Sequence, residues 1–373
     1  MTAWDGKDRF VRFTLRRGAA LVGALAALAA LVCAPISSAS TGKRFTPLRI
    51  NGEQIRSISL SDINQFASLS IGDLQRIKAD GFNMVSIYVY RFMDTPQSDG
   101  QHTSVNTEPD ALIEQTIDAA HAAGLAVNLT PTIWVGPGVG AFYWRGLIYP
   151  TDRNAFFDSY RAMLEHYADI AQAHNVELFG LGSEMSSLES DVDQWRHTIT
   201  DVRSHYAGPL TYFTVTANVS SIKWWGYIDL PGISPYVSLS TDANPSYDEV
   251  VSAWKSVVLP QLRKIQKAVG RPLFVAETGY PSTDYAAEHP ELGAAGNANE
   301  TLQATLYRAL LDTLMSQPGF DGINLWRWSA KEFGPLDRGF SPKGKAAECV
   351  IAERWSSDTT SQTQCTTLGH VAF

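Results

Sequence analysis

The chain has 373 residues, of which 45% are hydrophobic and 18% are charged. This composition excludes a disordered chain, a collagen-like fibre and a small module that depends on disulfides for its stability. The formal net charge is −8. A nucleic-acid partner is therefore not expected, because binding to phosphates requires a cationic surface.

Residues 1–40 have the features of an export signal. Basic residues end at Arg16 and Arg17, an uncharged stretch spans residues 18–36, and small residues suited to cleavage stand at 37–40. The paired arginines leave twin-arginine export open. The uncharged stretch is also close to the ~20 residues that span a bilayer, so an uncleaved membrane anchor is the alternative. In either case we expect a protein that is secreted or held in the cell envelope.

Cysteine usage agrees with an oxidising compartment. Once the signal is removed with Cys33, only Cys349 and Cys365 remain, and both lie in the tail that we assign to residues 346–373. We predict that they form one disulfide, which pins this tail. The sequence contains no CxxC motif and no cysteine–histidine cluster, so neither a metal site nor a cofactor is predicted.

Between the signal and the tail, short apolar runs alternate with segments of helical periodicity. The predicted strands span 55–60, 83–90, 125–134, 176–181, 210–215, part of 227–236, 273–276 and 322–328. Strands that alternate with helices form parallel sheets with right-handed crossovers. Eight such units in about 250 residues predict an α/β fold of one domain, a (β/α)8 TIM barrel over residues 41–345.

Helix boundaries are signalled at several positions. Ser70 and Asp73 form the sequence pattern of a capping box, as do Ser246 and Glu249. The helix that begins at Ser246 is expected to kink at Pro260, because proline lacks the N–H group that the helical hydrogen bond requires.

Two glutamates close strands four and seven. Glu184 follows the run at 176–183, and Glu277 follows the run at 272–276. Catalytic side chains of a closed parallel barrel come from the carboxyl ends of its strands, so both are expected at the same rim. Carboxylates held roughly 5–5.5 Å apart perform retaining glycoside hydrolysis, one as nucleophile and the other as acid/base. A structural ion pair is the alternative interpretation.

Several stretches in the order found here resemble glycoside hydrolase family 113, which belongs to clan A and whose members are β-mannanases. They are ELFGLGSEM at 177–185, residues 195–212, GISPY at 232–236, RPLFVAETGY at 271–280 and LWRW at 325–328. The resemblance covers almost the whole predicted barrel. It implies a glycoside hydrolase that cleaves β-1,4-mannan or manno-oligosaccharides by a retaining mechanism, without a cofactor or metal; together with the signal at residues 1–40, this predicts an exported enzyme.

The resemblance also implies roles for individual side chains. Glu184 would be the general acid/base, with a raised pKa, and Glu277 the nucleophile, which must be ionised. Tyr236 would hydrogen-bond to Glu277, and Trp326 would form a platform under the sugar at the cleavage site. Arg91, just past strand two, would keep Glu277 anionic through its charge; a solvated loop charge is the alternative.

Ten tryptophans are more than a core of this size needs. Trp134, Trp144 and Trp225 follow strands three and five, where stacking on sugars is expected for some of them and core packing for the rest. A polysaccharide or oligosaccharide is therefore the expected partner.

Two departures from the family pattern bear on the substrate. Ser183 stands where most clan members have an asparagine that contacts the sugar 2-hydroxyl, and Thr130-Pro131 stands where mannanase-like sequences tend to have Lys-Pro. Cleavage of glucan, xylan or a cell-envelope glycan, and transglycosylation, therefore remain alternatives. A catalytically silent carbohydrate-binding barrel is a further one, although a pure binder does not need both glutamates.

Overall fold

The computed structural model describes residues 47–357, with the exception of 63–65, 139–140, 294–295 and 332–335. Eight parallel strands form a closed barrel, as predicted. They are β1 Ile55–Leu60, β2 Met84–Met93, β3 Ala126–Gly138, β4 Leu178–Ser183, β5 Leu210–Val215, β6 Leu230–Ser234, β7 Leu273–Thr278 and β8 Phe320–Trp328. Each strand pairs with the next, and β8 closes the barrel against β1, where Ser57 lies opposite Asn324.

Helices surround the barrel. They are α1 Ile71–Ala79, α2 Asp110–Ala122, α3 Arg153–Ala173, α4 Val192–His205, α5 Tyr247–Ala253, α6 Leu259–Val269, α7 Glu300–Leu314 and α8 Ala346–Trp355. Both predicted capping boxes are present at the starts of α1 and α5. Between β5 and β6 the connection consists of short 3₁₀ turns, Thr216–Ser221 and Trp225–Tyr227.

The distortion expected at Pro260 takes the form of a π-helical turn. The turn spans Trp254–Val258 and joins α5 to α6, with Pro260 in the first turn of α6. Proline has no N–H group to donate to the carbonyl four residues earlier, so the backbone widens just before it.

Side-chain alternation along the strands separates the barrel interior from the helix layer. Tyr88 and Tyr90 of β2 lie in the interior cluster with Phe213 and Phe274, whereas Val89 lies in the cluster shared with the helices. Such alternation is the ordinary two-residue period of a strand. The interior at the carboxyl ends of the strands is therefore lined by aromatic side chains.

Strand β3 extends beyond the predicted end at residue 134. It continues to Gly138 and pairs antiparallel with a short additional strand, Ala141–Tyr143, in which Tyr143 lies opposite Val135. The turn at 139–140 lies outside the described residues. The loop at residues 144–149 begins where this hairpin ends.

The first part of the predicted tail forms a helix that packs on the barrel. In α8, Ile351 is fully buried and Trp355 is 8% exposed, and the Trp355 ring contacts Phe82 edge-on at 5.1 Å. An ion pair joins Arg76 of α1 to Glu348 of α8, with 2.6 Å between one guanidinium nitrogen and the carboxylate. This helix is not evident from the sequence, because apolar residues lie on most of its sides and it lacks the periodicity of an amphipathic helix.

The remainder of the tail, with Cys365, and the signal at 1–40 lie outside the described residues. The disulfide between Cys349 and Cys365 therefore stays a prediction. Within the part of the chain that the structure describes, no helix is long and apolar enough to cross a membrane.

Replacement of Trp355 tests whether α8 belongs to the folded barrel. Trp355→Ala removes a buried ring from the contact with Phe82, and we expect the free energy of unfolding to fall by about 3–5 kcal/mol. Val105→Ala is the control, because Val105 is 95% exposed. Urea unfolding followed by circular dichroism measures both variants. Equal stability of Trp355→Ala and the wild type would show that α8 is not part of the cooperative unit.

Candidate active site

Glu184 lies directly after β4 in a backbone conformation that is unusual for a glutamate. Its φ is +52°, in the left-handed region, and Gly182 before it has a φ of +112°. A side chain at 182 would collide with the Tyr160 hydroxyl, which lies 2.1 Å from the Cβ position. The Glu184 N–H donates to Phe213 O at 2.8 Å, which fixes the turn against β5.

Glu277 lies within β7, one residue before its end, and is 9% exposed. Ala276 belongs to the interior cluster, so simple alternation would point Glu277 outward. The pairing of β7 with β8 shifts register between Val275 and Thr278. Such an irregularity redirects a side chain. The pairing of β4 with β5 shifts in the same way between Gly180 and Ser183, just before Glu184.

Two groups from the loop after the hairpin contact Glu184. The Trp144 indole N–H donates to Glu184 Oε2 at 3.0 Å, and an Arg145 guanidinium nitrogen lies 4.0 Å from the same oxygen. Both side chains of the ion pair are about one-tenth exposed. Arg145 was not singled out in the sequence, because it lies in a loop with no recognisable motif; its position one residue after Trp144 is the only signal.

Tyr236 donates a hydrogen bond from its hydroxyl to Glu277 Oε1 at 3.1 Å. Burial, together with the charges of Glu277 and Glu184, raises the pKa of Tyr236 well above its ordinary value, so the hydroxyl keeps its proton and remains a donor. The donor that the sequence analysis placed beside Glu277 is thus in contact with it.

Burial raises the pKa of Glu277 to about 8, and the charge of Glu184 adds to this effect. Arg145, the Tyr236 hydrogen bond and Arg327 act in the opposite direction and only partly offset it. The sequence predicts an ionised Glu277. In the ligand-free site, by contrast, the raised pKa favours the protonated form of Glu277 at neutral pH.

Arg91 does not act on Glu277. Tyr88 and Tyr90 face the barrel interior, so Arg91, the next residue in the alternation, faces the helix layer. Its Nε donates to Gln101 at 2.9 Å, and it also hydrogen-bonds to Tyr167 of α3. The charge predicted at this position comes instead from Arg145 and Arg327.

Trp326 and Trp134 lie at the interior rim. The Trp326 ring meets Tyr88 edge-on at 5.6 Å, and the Trp134 ring meets Tyr90 edge-on at 5.9 Å. The peptide bond between Trp326 and Arg327 is cis. Both indoles are partly exposed, as binding to a sugar ring requires.

The structure corrects the prediction for Trp225. This residue is 7% exposed, its indole N–H donates to Val219 O at 3.2 Å, and its ring packs 5.7 Å from that of Trp224. The 3₁₀ turns between β5 and β6 fold back on the outside of the barrel and bury it there. Trp225 therefore packs in the core and does not line the site.

Ser183 is 1% exposed, and its hydroxyl accepts a hydrogen bond from Arg145 at 3.1 Å. Where most clan members have an asparagine, this chain thus places a serine whose side chain holds an arginine beside Glu184. Among the described residues, no group of three or more His, Cys, Asp or Glu side chains could hold a metal ion.

A model of glycoside hydrolase family 113 matches residues 65–344, which include all of these side chains. The chain belongs to glycoside hydrolase family 113. It is therefore a glycoside hydrolase, and the predicted family is confirmed. A search of curated proteins finds no match to this sequence.

Solved structures of family 113 members superpose on the chain. A GH113 β-1,4-mannanase complex is 25% identical, with a TM-score of 0.71 over 82% of this chain and 100% of the other. The GH113 β-mannanase AaManA from Alicyclobacillus acidocaldarius, in complex with ManMIm, is 28% identical, with a TM-score of 0.70 over 81% of this chain and 97% of the other.

More distant structures share the fold. A GH5_18 protein from Streptomyces cattleya in complex with Manβ1-4GlcNAc is 14% identical, with a TM-score of 0.56 over 82% of this chain and 81% of the other. At that identity the likeness extends to the barrel alone.

The protonation of Glu277 makes the stability of this family 113 member dependent on pH. Folded Glu277 keeps its proton up to about pH 8, whereas the unfolded residue loses it above about pH 4.5. The contribution of Glu277 to stability therefore falls as pH rises through this window. Glutamine has no such proton to lose, so Glu277→Gln should exceed the wild type in unfolding free energy by on the order of 1–3 kcal/mol at pH 7.

Urea unfolding at pH 4.5 and pH 7 measures this difference, which should shrink towards zero at the lower pH. Asp193→Asn is the control, because the Asp193 side chain is 98% exposed. An equal gain for Glu277→Gln at both pH values would contradict the protonation of Glu277.

Proposed function

We propose that this protein is an exported, retaining β-mannanase that cleaves β-1,4-mannan or manno-oligosaccharides by double displacement. The observation that carries the proposal is the juxtaposition of Glu184 and Glu277, each less than one-tenth exposed, with the charge of one acting on the other. The β-mannanases that superpose on the chain support the substrate class. Export rests on the sequence of residues 1–40, and the disulfide between Cys349 and Cys365 belongs to the same proposal.

In the first step, Glu277 attacks the anomeric carbon and forms a glycosyl ester, while Glu184 gives its proton to the leaving glycosidic oxygen. In the second step, Glu184 takes a proton from water, and the resulting hydroxide displaces Glu277. Acid and base roles of one residue in successive steps are the ordinary retaining scheme. Tyr236 orients Glu277 through its hydrogen bond to Oε1.

Attack requires Glu277 to be ionised, whereas burial keeps it protonated in the ligand-free site. The proton of Glu277 must therefore leave before the first step, and we propose that Glu184 takes it. That transfer produces an ionised nucleophile and a protonated acid together. Tyr236 and Arg327 favour it, because they stabilise the anionic form of Glu277, whereas Arg145 also forms an ion pair with Glu184 and stabilises both anions.

Exposed aromatic side chains in the hairpin and in the loop that follows it supply a surface for the sugar chain. Phe142, Tyr143, Trp144 and Tyr149 are 37–64% exposed, and the indole of Trp144 reaches Glu184. We propose that they bind the sugars on the leaving-group side, because Glu184 protonates the leaving oxygen. Trp326 and Trp134 would contact the sugar whose bond is cleaved.

Cleavage of another β-linked glycan is the second candidate, and Ser183 favours it. In this chain the Ser183 hydroxyl accepts from Arg145, so the contact with the sugar 2-hydroxyl would come from Arg145. The C2 configuration distinguishes mannose from glucose, so this change bears directly on the preferred sugar.

Covalent trapping tests the nucleophile. A 2-deoxy-2-fluoro glycosyl fluoride slows both steps but retains a good leaving group, so the ester accumulates. We expect one label per chain, on the peptide that contains Glu277, and none in Glu277→Ala. Glu108→Gln, which alters a buried carboxyl in another part of the barrel, should label as the wild type does. Mass spectrometry of digests measures this, and persistent labelling of Glu277→Ala would remove the assignment.

A panel of polysaccharides tests the substrate. We expect the highest kcat/KM on β-1,4-mannan and manno-oligosaccharides, with shorter manno-oligosaccharides as products. Glu184→Gln should lower kcat on mannan by about 10²–10⁴-fold, because general acid catalysis is lost. Chromatographic sizing of products separates hydrolysis from transglycosylation. A higher kcat/KM on glucan, xylan or a cell-envelope glycan would contradict mannan as the preferred substrate.

A further inference from the structure

A buried carboxyl group lies behind Glu184 that the proposed reaction does not use. Glu189 is fully buried, at 0% exposure, five residues after Glu184 in the turn that leaves β4. Its Oε1 accepts a hydrogen bond from the Tyr212 hydroxyl at 2.8 Å, and its Oε2 accepts one from Asn218 Nδ2 at 3.2 Å. Burial of a carboxyl group costs free energy unless the group is hydrogen-bonded. The presence of Glu189 in the core therefore points to a role for it.

The hydroxyl of Tyr212 connects Glu189 to the backbone next to Glu184. It accepts a hydrogen bond from the Met185 N–H at 2.9 Å. A phenolic hydroxyl has a single proton, and here that proton is donated to Glu189. Glu189 therefore fixes the rotation of the hydroxyl so that a lone pair faces Met185. The connection from Glu189 through Tyr212 to Met185 is entirely buried.

The backbone that this connection holds is strained. Glu184 has a left-handed φ of +52°, and a non-glycine residue stays in that strained region only where the surrounding structure imposes it. Two N–H groups flank the strained peptide units, and both donate to β5: that of Glu184 to Phe213 O and that of Met185 to Tyr212. Adjacent residues of one strand thus hold the turn on both sides.

The rest of the turn is fixed independently at its far end. The Trp224 indole donates to Glu189 O at 2.9 Å, and the Trp195 indole donates to Leu188 O at 2.9 Å. Glu189 cannot shift towards Glu184 without breaking these contacts. These core contacts therefore fix the position of Met185. Through Met185 they also fix the direction of the Glu184 side chain.

We propose that Tyr212 and Glu189 are positioning residues that hold Glu184 where its carboxyl can protonate the leaving oxygen. The inference rests on the proposed role of Glu184 as acid. Neither residue reaches the substrate, because both are fully buried. Their effect should therefore be confined to the proton that Glu184 delivers.

Leaving-group dependence separates this role from a merely structural one. Tyr212→Phe removes the hydroxyl while keeping the ring, and kcat/KM is measured on mannotetraose and on 2,4-dinitrophenyl β-mannobioside. Dinitrophenolate leaves without protonation, and kcat/KM reports only the step up to ester formation. We expect a loss of about 10–100-fold on mannotetraose, from a misplaced acid, and little change on the dinitrophenyl substrate.

Tyr206→Phe is the matched control. Tyr206 is also a buried tyrosine, and its hydroxyl donates to Val176 O at 2.7 Å, ahead of β4 and away from Glu184. We expect wild-type kcat/KM on both substrates from this variant. Equal losses on both substrates for Tyr212→Phe, or none on either, would overturn the inference.

Two further arms keep the outcomes distinct. Circular dichroism and thermal unfolding establish whether Tyr212→Phe is folded. If it is not, Glu189→Gln replaces it. The same selective loss is expected at smaller size, because a neutral amide accepts the Tyr212 hydrogen bond more weakly than a carboxylate does. Wild type and Glu184→Gln are run in parallel; removal of the Glu184 charge lowers the pKa of Glu277, so in this variant Glu277 can ionise without passing its proton to residue 184. If the wild type is inactive on both substrates, the proposed function itself is overturned. If Glu184→Gln loses both activities equally, the acid assignment is overturned. If Glu184→Gln loses kcat/KM selectively on mannotetraose but Tyr212→Phe does not, only the positioning role is overturned.

Discussion

The charge of Glu184 opposes ionisation of Glu277, and both side chains lie where little water can stabilise them. The neighbouring side chains compensate for this repulsion. Arg145 lies beside Glu184, and Trp144 and Tyr236 each donate to one carboxyl. Their arrangement leaves Glu277 protonated in the ligand-free protein, so the catalytic state must be reached by moving one proton. The electrostatics of the pair thus limit the reaction as much as the positions of the two residues do.

The geometry of the barrel makes the pair possible. The pairing of β7 shifts register across Glu277, and the pairing of β4 shifts just before Glu184. Without the shift in β7, Glu277 would alternate with Ala276, which faces the barrel interior, and would point to the helix side of the sheet. On β4, the left-handed backbone at Glu184 likewise directs the glutamate into the site, and Gly182 leaves space for this turn. Both carboxyl groups therefore depend on local departures from regular structure that the surrounding core must support.

The fold could be predicted from the sequence because strand and helix periodicities alternate eight times, and the positions of Glu184 and Glu277 followed from it. Neighbouring charges could not be predicted in the same way. Arg91 lies close to the rim in sequence, but strand alternation turns it outward to Gln101. Arg145 reaches the site only because β3 extends into a hairpin, which sequence periodicity does not reveal. The burial of Trp225 could not be predicted either, because the exposure of a loop indole depends on how the 3₁₀ turns fold.

Titration of Glu277 by ¹³C NMR in protein labelled at glutamate carboxyls tests the central claim, which is that the two glutamates share one poorly solvated pocket. In the wild type the Glu277 signal should titrate near pH 8. In Glu184→Gln the like charge is gone, so the same signal should titrate at a lower pH while its chemical shift still reports a buried carboxyl. An unchanged titration of Glu277 in that variant would mean that the two carboxyl groups do not interact, and the account of the site would be wrong.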